Sequence, residues 1–175
     1  MSANKTFYRA HLWKDAPIFH QPFWLDAVAG DAWDVAIISE KDVLKAYYIY
    51  AFKKDATGFQ IIMPKLTQFL GLNYKLPDKS LRERHNEETE LLEQLLQQLP
   101  AHGYFESRWH FSFQNWLPFY WNGFHQTTRY TYVLEDLSDP EKLMAQCSDK
   151  IRREINKADK KFTVTKSDDV KACYQ

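Results

Sequence analysis

The stretch WDVAIISEKDVLKAYYIYAFKK, Trp33 to Lys54, decides the fold class. Two runs of β-branched and aromatic residues, WDVAIISE and VLKAYYIYAFKK, flank a polar Glu40-Lys41-Asp42 turn. That is the pattern of an antiparallel hairpin. Ahead of it, HQPFWLDAVAG (His20 to Gly30) predicts a short helix, with a proline early, apolar residues at Phe23, Trp24, Ala27 and Val28, and Gly30 as the stop. Behind it, GFQIIMPKL (Gly58 to Leu66) continues the strand pattern, so Pro64 must sit at an edge, an end or a bulge.

Further out, Gly71 to His85 reads as a loop, and Asn86 as the N-cap of a helix. Glu87, Glu88 and Glu90 occupy the first turn, where the macrodipole favours acids, and Leu91, Leu92, Leu95 and Leu99 form the buried face up to Pro100. YFESRWHFSF (Tyr104 to Phe113) and TTRYTYVLEDL (Thr127 to Leu137) alternate as strands do. Asp139-Pro140-Glu141 opens a long helix through Lys161, FTVTK follows as a strand, and Ser167-Asp168-Asp169 reads as a fresh helix cap. Hairpins and short loops join most strands. The expected fold is therefore α+β, a mixed and largely antiparallel sheet flanked by helices, in one domain spanning residues 1–175.

A chain of 175 residues can bury one sizeable core, and 28 Phe, Tyr and Trp side chains mean that much of it is ring against ring. No apolar run is long enough for a membrane span, and Met1 to Arg9 has no stretch of signal-peptide length, so a cytoplasmic protein is expected. Cys147 and Cys173 lie far apart, which fits reduced thiols and argues against a disulfide framework or a zinc knuckle. Six histidines (His11, His20, His85, His102, His110, His125) show no close metal spacing and read as structural.

The net charge is zero, yet Lys150 to Lys161 holds six cations in twelve residues. On a continuous helical wheel Leu143, Met144, Cys147, Ile151, Ile155, Ala158 and Phe162 share a core face. Lys150, Arg153, Lys157, Lys160 and Lys161 form a stripe beside it. The stripe has two readings, a solvated helix face or a grip for phosphate. Like-charge pairs at i,i+4, Arg153 with Lys157 and Lys157 with Lys161, cost a few tenths of a kcal/mol each unless an anion intervenes. Twelve aromatics between Tyr104 and Tyr132 read either as core beneath a loop turned by Gly123 or as rings that stack on bases. QFLGLN (Gln68 to Asn73) has only part of a pyrophosphate-loop pattern and leads into a loop with Pro77, not into a helix.

LTQFLG (Leu66 to Gly71), LPFYWNGFHQTTRYTYVLEDLS (Leu117 to Ser138) and CSDKIRREINKADKKFTVTKSDD (Cys147 to Asp169), taken in order, resemble bacterial acyltransferase-like proteins of the Fem type, built on the acetyltransferase (GNAT) fold. The resemblance covers most of the chain but only the N-terminal half of such a protein, with the second acyltransferase half absent. It implies transfer of an acyl or aminoacyl group from coenzyme A or charged tRNA to an amine. It also implies a chain truncated at its C-terminus and inactive alone, with acetyl-coenzyme A or aminoacyl-tRNA as co-substrate of the longer protein and no cofactor held by this chain. Such transfer needs the amine positioned, its proton accepted and the oxyanion stabilised. Glu106 and Glu135 are candidate bases, though neither stands out. Lys150, Arg153, Lys157, Lys160 and Lys161, with Arg129 in the matching Arg-Tyr-Thr-Tyr stretch, are the expected contacts to tRNA, coenzyme A or a nucleotide-linked precursor. Expected partners are otherwise the missing half and, through apolar residues near Ala172 and Tyr174, a second copy of the chain. The alternative is a non-catalytic RNA or polyanion-binding module using the same basic face. A complete small acetyltransferase is a third reading, opposed by the missing pyrophosphate loop and only five glycines.

Overall fold

The structure is a computed structural model that describes residues 1–76, 80–134 and 136–166. The chain divides into two compact units, Met1–Thr127 and Thr128–Gln175. The first holds the sheet and the whole buried core, so it is built up first.

The expected hairpin forms. Strand β1 (Trp33–Glu40) pairs antiparallel with β2 (Val43–Asp55), and Lys41 and Asp42 between them both take positive φ, 48° and 63°. Two successive left-handed residues make a turn whose twist matches that of the strands it joins. Strand β3 (Gly58–Ile62) adds antiparallel to the far end of β2, and Pro64 lies beyond its last ladder pair, so no sheet hydrogen bond is lost to it.

Gly71 to His85 is not all loop. Leu72–Tyr74 forms a strand, β4, pairing antiparallel with Ala46–Tyr48 of β2. One side of β2 thus carries two partners in succession, β4 and then β3, and Ile49 between them donates to the Gly71 carbonyl at 2.9 Å. Gly71 holds φ of +126°, and a Cβ there would come within 2.9 Å of Ser107 Oγ and 3.0 Å of the Tyr48 ring. The glycine of QFLGLN is explained by this close approach of backbone to side chains.

Both faces of the hairpin are buried. On one, Trp33, Val35, Tyr47, Ile49 and Ala51 pack with Tyr8 and Leu25, contributed by helices α1 (Ala3–His11) and α2 (Pro22–Ala29). On the other, Ala36, Ala46, Tyr48 and Leu72 pack with Leu92 and Leu95 of α3 (Leu81–Gln97) and Phe119 of α4 (Leu117–Trp121). Helix α2 forms as expected, with Pro22 at its start and Gly30 at φ +58° as its cap. Helix α1 has no forecast in the sequence reading. Helix α3 begins five residues earlier than Asn86, because Ser80 accepts from the Glu83 amide while the Glu83 side chain accepts from that of Ser80, a capping box.

YFESRWHFSF supplies only a two-residue strand, β5 (Tyr104–Phe105), parallel to β3. The rest turns to line the second core face with Trp109, Phe113 and, further on, Trp116 and Phe124, while Gly123 holds φ of +81° at the turn. The observed architecture is α+β, with sheet order β1-β2-β3-β5, β4 on β2, and antiparallel pairing everywhere but β3–β5.

The second unit departs from the sequence reading. Thr128 to Leu134 and Phe162 to Lys166 form no strand, since neither finds a ladder partner. The long helix is two helices, α5 (Pro140–Gln146) and α6 (Asp149–Asp159). Cys147 is extended at ψ 147°, and the Ser148 side chain caps α6 by accepting from the Ile151 amide. The break separates Leu143, Met144 and Cys147 from the helical face of Ile151 and Ile155. No described residue of this unit is buried. Cys147 is a free thiol; Cys173, Ala172, Tyr174 and the Ser167-Asp168-Asp169 cap lie outside the described residues. Among the described residues no helix is long and apolar enough to cross a membrane.

Candidate functional site

Helix α6 carries Lys150, Arg153 and Lys157, and Lys160 is its C-cap in helical conformation. The Lys161 amide still donates to the Ala158 carbonyl at 2.9 Å, so the helical course extends to the last cation. All five side chains are exposed. Lys157 lies 3.9 Å from Glu154, a solvent-screened pair worth only a few tenths of a kcal/mol. Arg153 Nε donates to the Asp149 carbonyl at 3.3 Å, and the Asp149 carboxylate is engaged by Arg152, which lies off the stripe. Among the described residues no carboxylate pairs with Lys150, Arg153, Lys160 or Lys161.

The helix dipole accounts for part of this stripe. Cations in the last turn gain about 0.3–1 kcal/mol each, which suits Lys157, Lys160 and Lys161. Lys150, the second residue of α6, sits at the positive end, where the dipole disfavours it. Arg129 is exposed in an extended segment, and no hydrogen bond or ion pair among the described residues joins it to the stripe. Of the candidate bases, Glu106 is held by Arg108 at 2.9 Å, and Glu135 lies outside the described residues.

A second site, which the sequence reading missed, lies in the first unit. A cleft of about 330 Å³ is lined by Trp13, His20, Phe69, Tyr74, His110 and Phe113 among others. His20 is 1% exposed at its wall. Its Nδ1 lies 3.1 Å from the Tyr47 hydroxyl, which accepts from Asn73 Nδ2 at 3.0 Å, and its carbonyl accepts from the Tyr8 hydroxyl at 2.7 Å. The buried Nε2 has no hydrogen-bond partner among the described residues. Burial, with a smaller push from His110, drives the imidazole pKa down to about 3, so the ring is neutral at physiological pH. His110 is also lowered by burial, and its Nδ1 lies 2.8 Å from Ser112 Oγ. At the rim Lys75 pairs with both Asp15 oxygens at 2.8 and 3.0 Å and rests 4.9 Å over the Trp13 ring.

Chain-wide comparison with protein-family models, curated proteins and solved structures gives no match. Function is therefore argued from these two constellations. Among the described residues no group of three or more His, Cys, Asp or Glu side chains could hold a metal ion. The missed signal is His20. Nothing in its sequence neighbourhood distinguishes it, because its burial and partners come from Tyr47 and Asn73, 27 residues or more away.

Proposed function

We propose that this chain is the N-terminal, substrate-side part of a Fem-like acyltransferase of GNAT fold, a cytoplasmic protein that helps move an acyl or aminoacyl group from coenzyme A or tRNA to an amine. The observation that supports it is the α6 stripe, four of whose five cations have no carboxylate partner among the described residues. Exposed neighbouring cations repel, and an anion that spans them turns that repulsion into binding. Both carriers present phosphates. In the reaction the amine nitrogen bonds to the carbonyl carbon, the thiol or ribose oxygen departs, and the amine proton passes to a base. Glu106, paired with Arg108, is not free for that step. The chain alone is accordingly expected to bind a carrier without turnover.

A second reading is a polyanion-binding module that performs no chemistry. Tyr130 and Tyr132, 95% and 100% exposed in the same unit as α6, favour it, because rings beside cations stack on unpaired bases.

Fluorescence binding of bulk tRNA and of coenzyme A at 50 and 200 mM salt tests both readings. Neutralising about five phosphate contacts should weaken tRNA binding on the order of a hundredfold or more between those salts. Replacing Lys150, Arg153, Lys157, Lys160 and Lys161 with Ala should abolish it. Competition by coenzyme A supports the acyltransferase reading, and tRNA binding indifferent to coenzyme A and sensitive to loss of Tyr130 and Tyr132 supports the module. If tRNA and coenzyme A bind the Ala variant as well as the parent chain, the stripe is a solvated face and both readings fail.

A further inference from the structure

The cleft around His20 is a different site from α6 and lies wholly within the first unit. We propose that it binds an uncharged ligand with a planar apolar body and a carbonyl group, the carbonyl oxygen accepting a hydrogen bond from His20 Nε2. The inference does not depend on the acyltransferase reading.

Protonation follows from the hydrogen-bond chain. Asn73 Nδ2 donates to the Tyr47 hydroxyl oxygen, which leaves the phenol's own proton to be donated onward. The Tyr8 hydroxyl is spent on the His20 carbonyl, so the acceptor for the Tyr47 proton is His20 Nδ1. A neutral imidazole that accepts at Nδ1 carries its proton at Nε2. That donor is buried and unpartnered among the described residues, and an unpaired buried donor favours any ligand that supplies an acceptor.

The walls give the rest of the ligand its character. Phe69 stands between the two imidazoles, with ring centroids 5.8 Å from His20 and 4.8 Å from His110, both edge-on. Phe113, packed on Tyr74 at 5.1 Å, and Trp13 complete an aromatic enclosure large enough for one ring and its substituent. Charge is excluded on both signs. His20 stays neutral, and the Lys75 ammonium is already committed to both Asp15 oxygens and the Trp13 face. A carboxylate would enter without a free counter-ion, and an ammonium would meet Lys75.

Benzamide is the probe, with benzoate and benzylamine as anionic and cationic comparators. Long-range proton–nitrogen spectra of the ¹⁵N-labelled chain report the His20 ring directly. Benzamide should shift the His20 Nε2 signal saturably with Kd on the order of 1–10 mM, as befits a small fragment. Both charged comparators should bind at least about tenfold more weakly. His20→Phe, which keeps the ring shape and removes the donor, should lose the benzamide site. Where that variant does not fold, Phe113→Ala at the half-buried rim should weaken benzamide about fivefold by opening the wall. Absence of a saturable His20 shift at about 50 mM benzamide, or benzoate binding equal to benzamide, overturns the proposal. So does binding that survives unchanged in whichever variant folds.

Discussion

Leu66 holds φ of +58° with its side chain 84% exposed. The left-handed region costs an L-residue with a Cβ roughly 1–2 kcal/mol, and an exposed leucine recovers little of that by packing. Glycine takes the same backbone without the clash, though it loosens the unfolded chain. Leu66→Gly should therefore raise unfolding stability by about 0.5–1 kcal/mol, read from urea midpoints, and a loss of stability would show that Leu66 packs more than its exposure says. His20 makes a pH-dependent counterpart. Its folded pKa of about 3 lies below the ordinary 6.5, so the unfolded chain binds a proton that the folded chain refuses. Its contribution is complete above the unfolded value and is lost as pH falls from 6.5 toward 3. The slope is about 1.4 kcal/mol per pH unit, or about 2 kcal/mol between pH 7 and 5. His110, lowered by burial, adds in the same direction. Urea unfolding at pH 7, 6 and 5 should show that loss in the parent chain and a shallower one in His20→Gln. Parallel curves would mean that His20 is not buried neutral.

The β1–β2 hairpin was legible because pattern and turn agree locally, and its free edge shows what pattern cannot reveal. Gln98, the cap residue of α3, donates from Nε2 to the Ile37 carbonyl at 3.0 Å and accepts from the Ile37 amide at 3.1 Å. Asn4 Nδ2 reaches the Val35 carbonyl in the same way at 3.1 Å. A side-chain amide thus fills the place of a neighbouring strand along β1, which blunts an edge that would otherwise template pairing with another chain. Gln98→Ala should cost about 1 kcal/mol and make the chain associate at high concentration, measured by thermal melts and sedimentation velocity. An unchanged melt and a monomeric boundary would remove that role. Other elements escaped the sequence for related reasons. β4 is three residues long and exists only because β2 offers an edge, and α1 buries just Lys5 and Tyr8, too few to mark an apolar stripe. TTRYTYVLEDL alternates well, but alternation without a ladder partner makes no strand. The break at Cys147–Ser148 could have been seen, since Ser-Asp is an N-cap followed by a first-turn acid.

At the scale of the molecule, the two units differ in what holds them together. The first is fastened by aromatic contacts on both sheet faces, as the high ring content implied. The second has no buried described residue, and Ile151, Phe162 and Val164 are 49%, 71% and 97% exposed. An eleven-residue helix with nothing buried is marginal in water, whatever its caps contribute. The apolar residues read from the sequence as one core face mark where α6 would pack, and its cations mark what it would meet, but neither contact stabilises it within its own unit. Amide hydrogen exchange should therefore show α6 protected less than about tenfold in the free chain, with β1 and β2 protected toward the limit set by global unfolding. Adding tRNA at low salt should raise protection across Lys150 to Lys161 and leave the strands unchanged, because binding stabilises only what it touches when local opening dominates. Strong protection of α6 in the free chain would mean that its cations need no anion to be tolerated. That result would return the stripe to the role of a wet helix face.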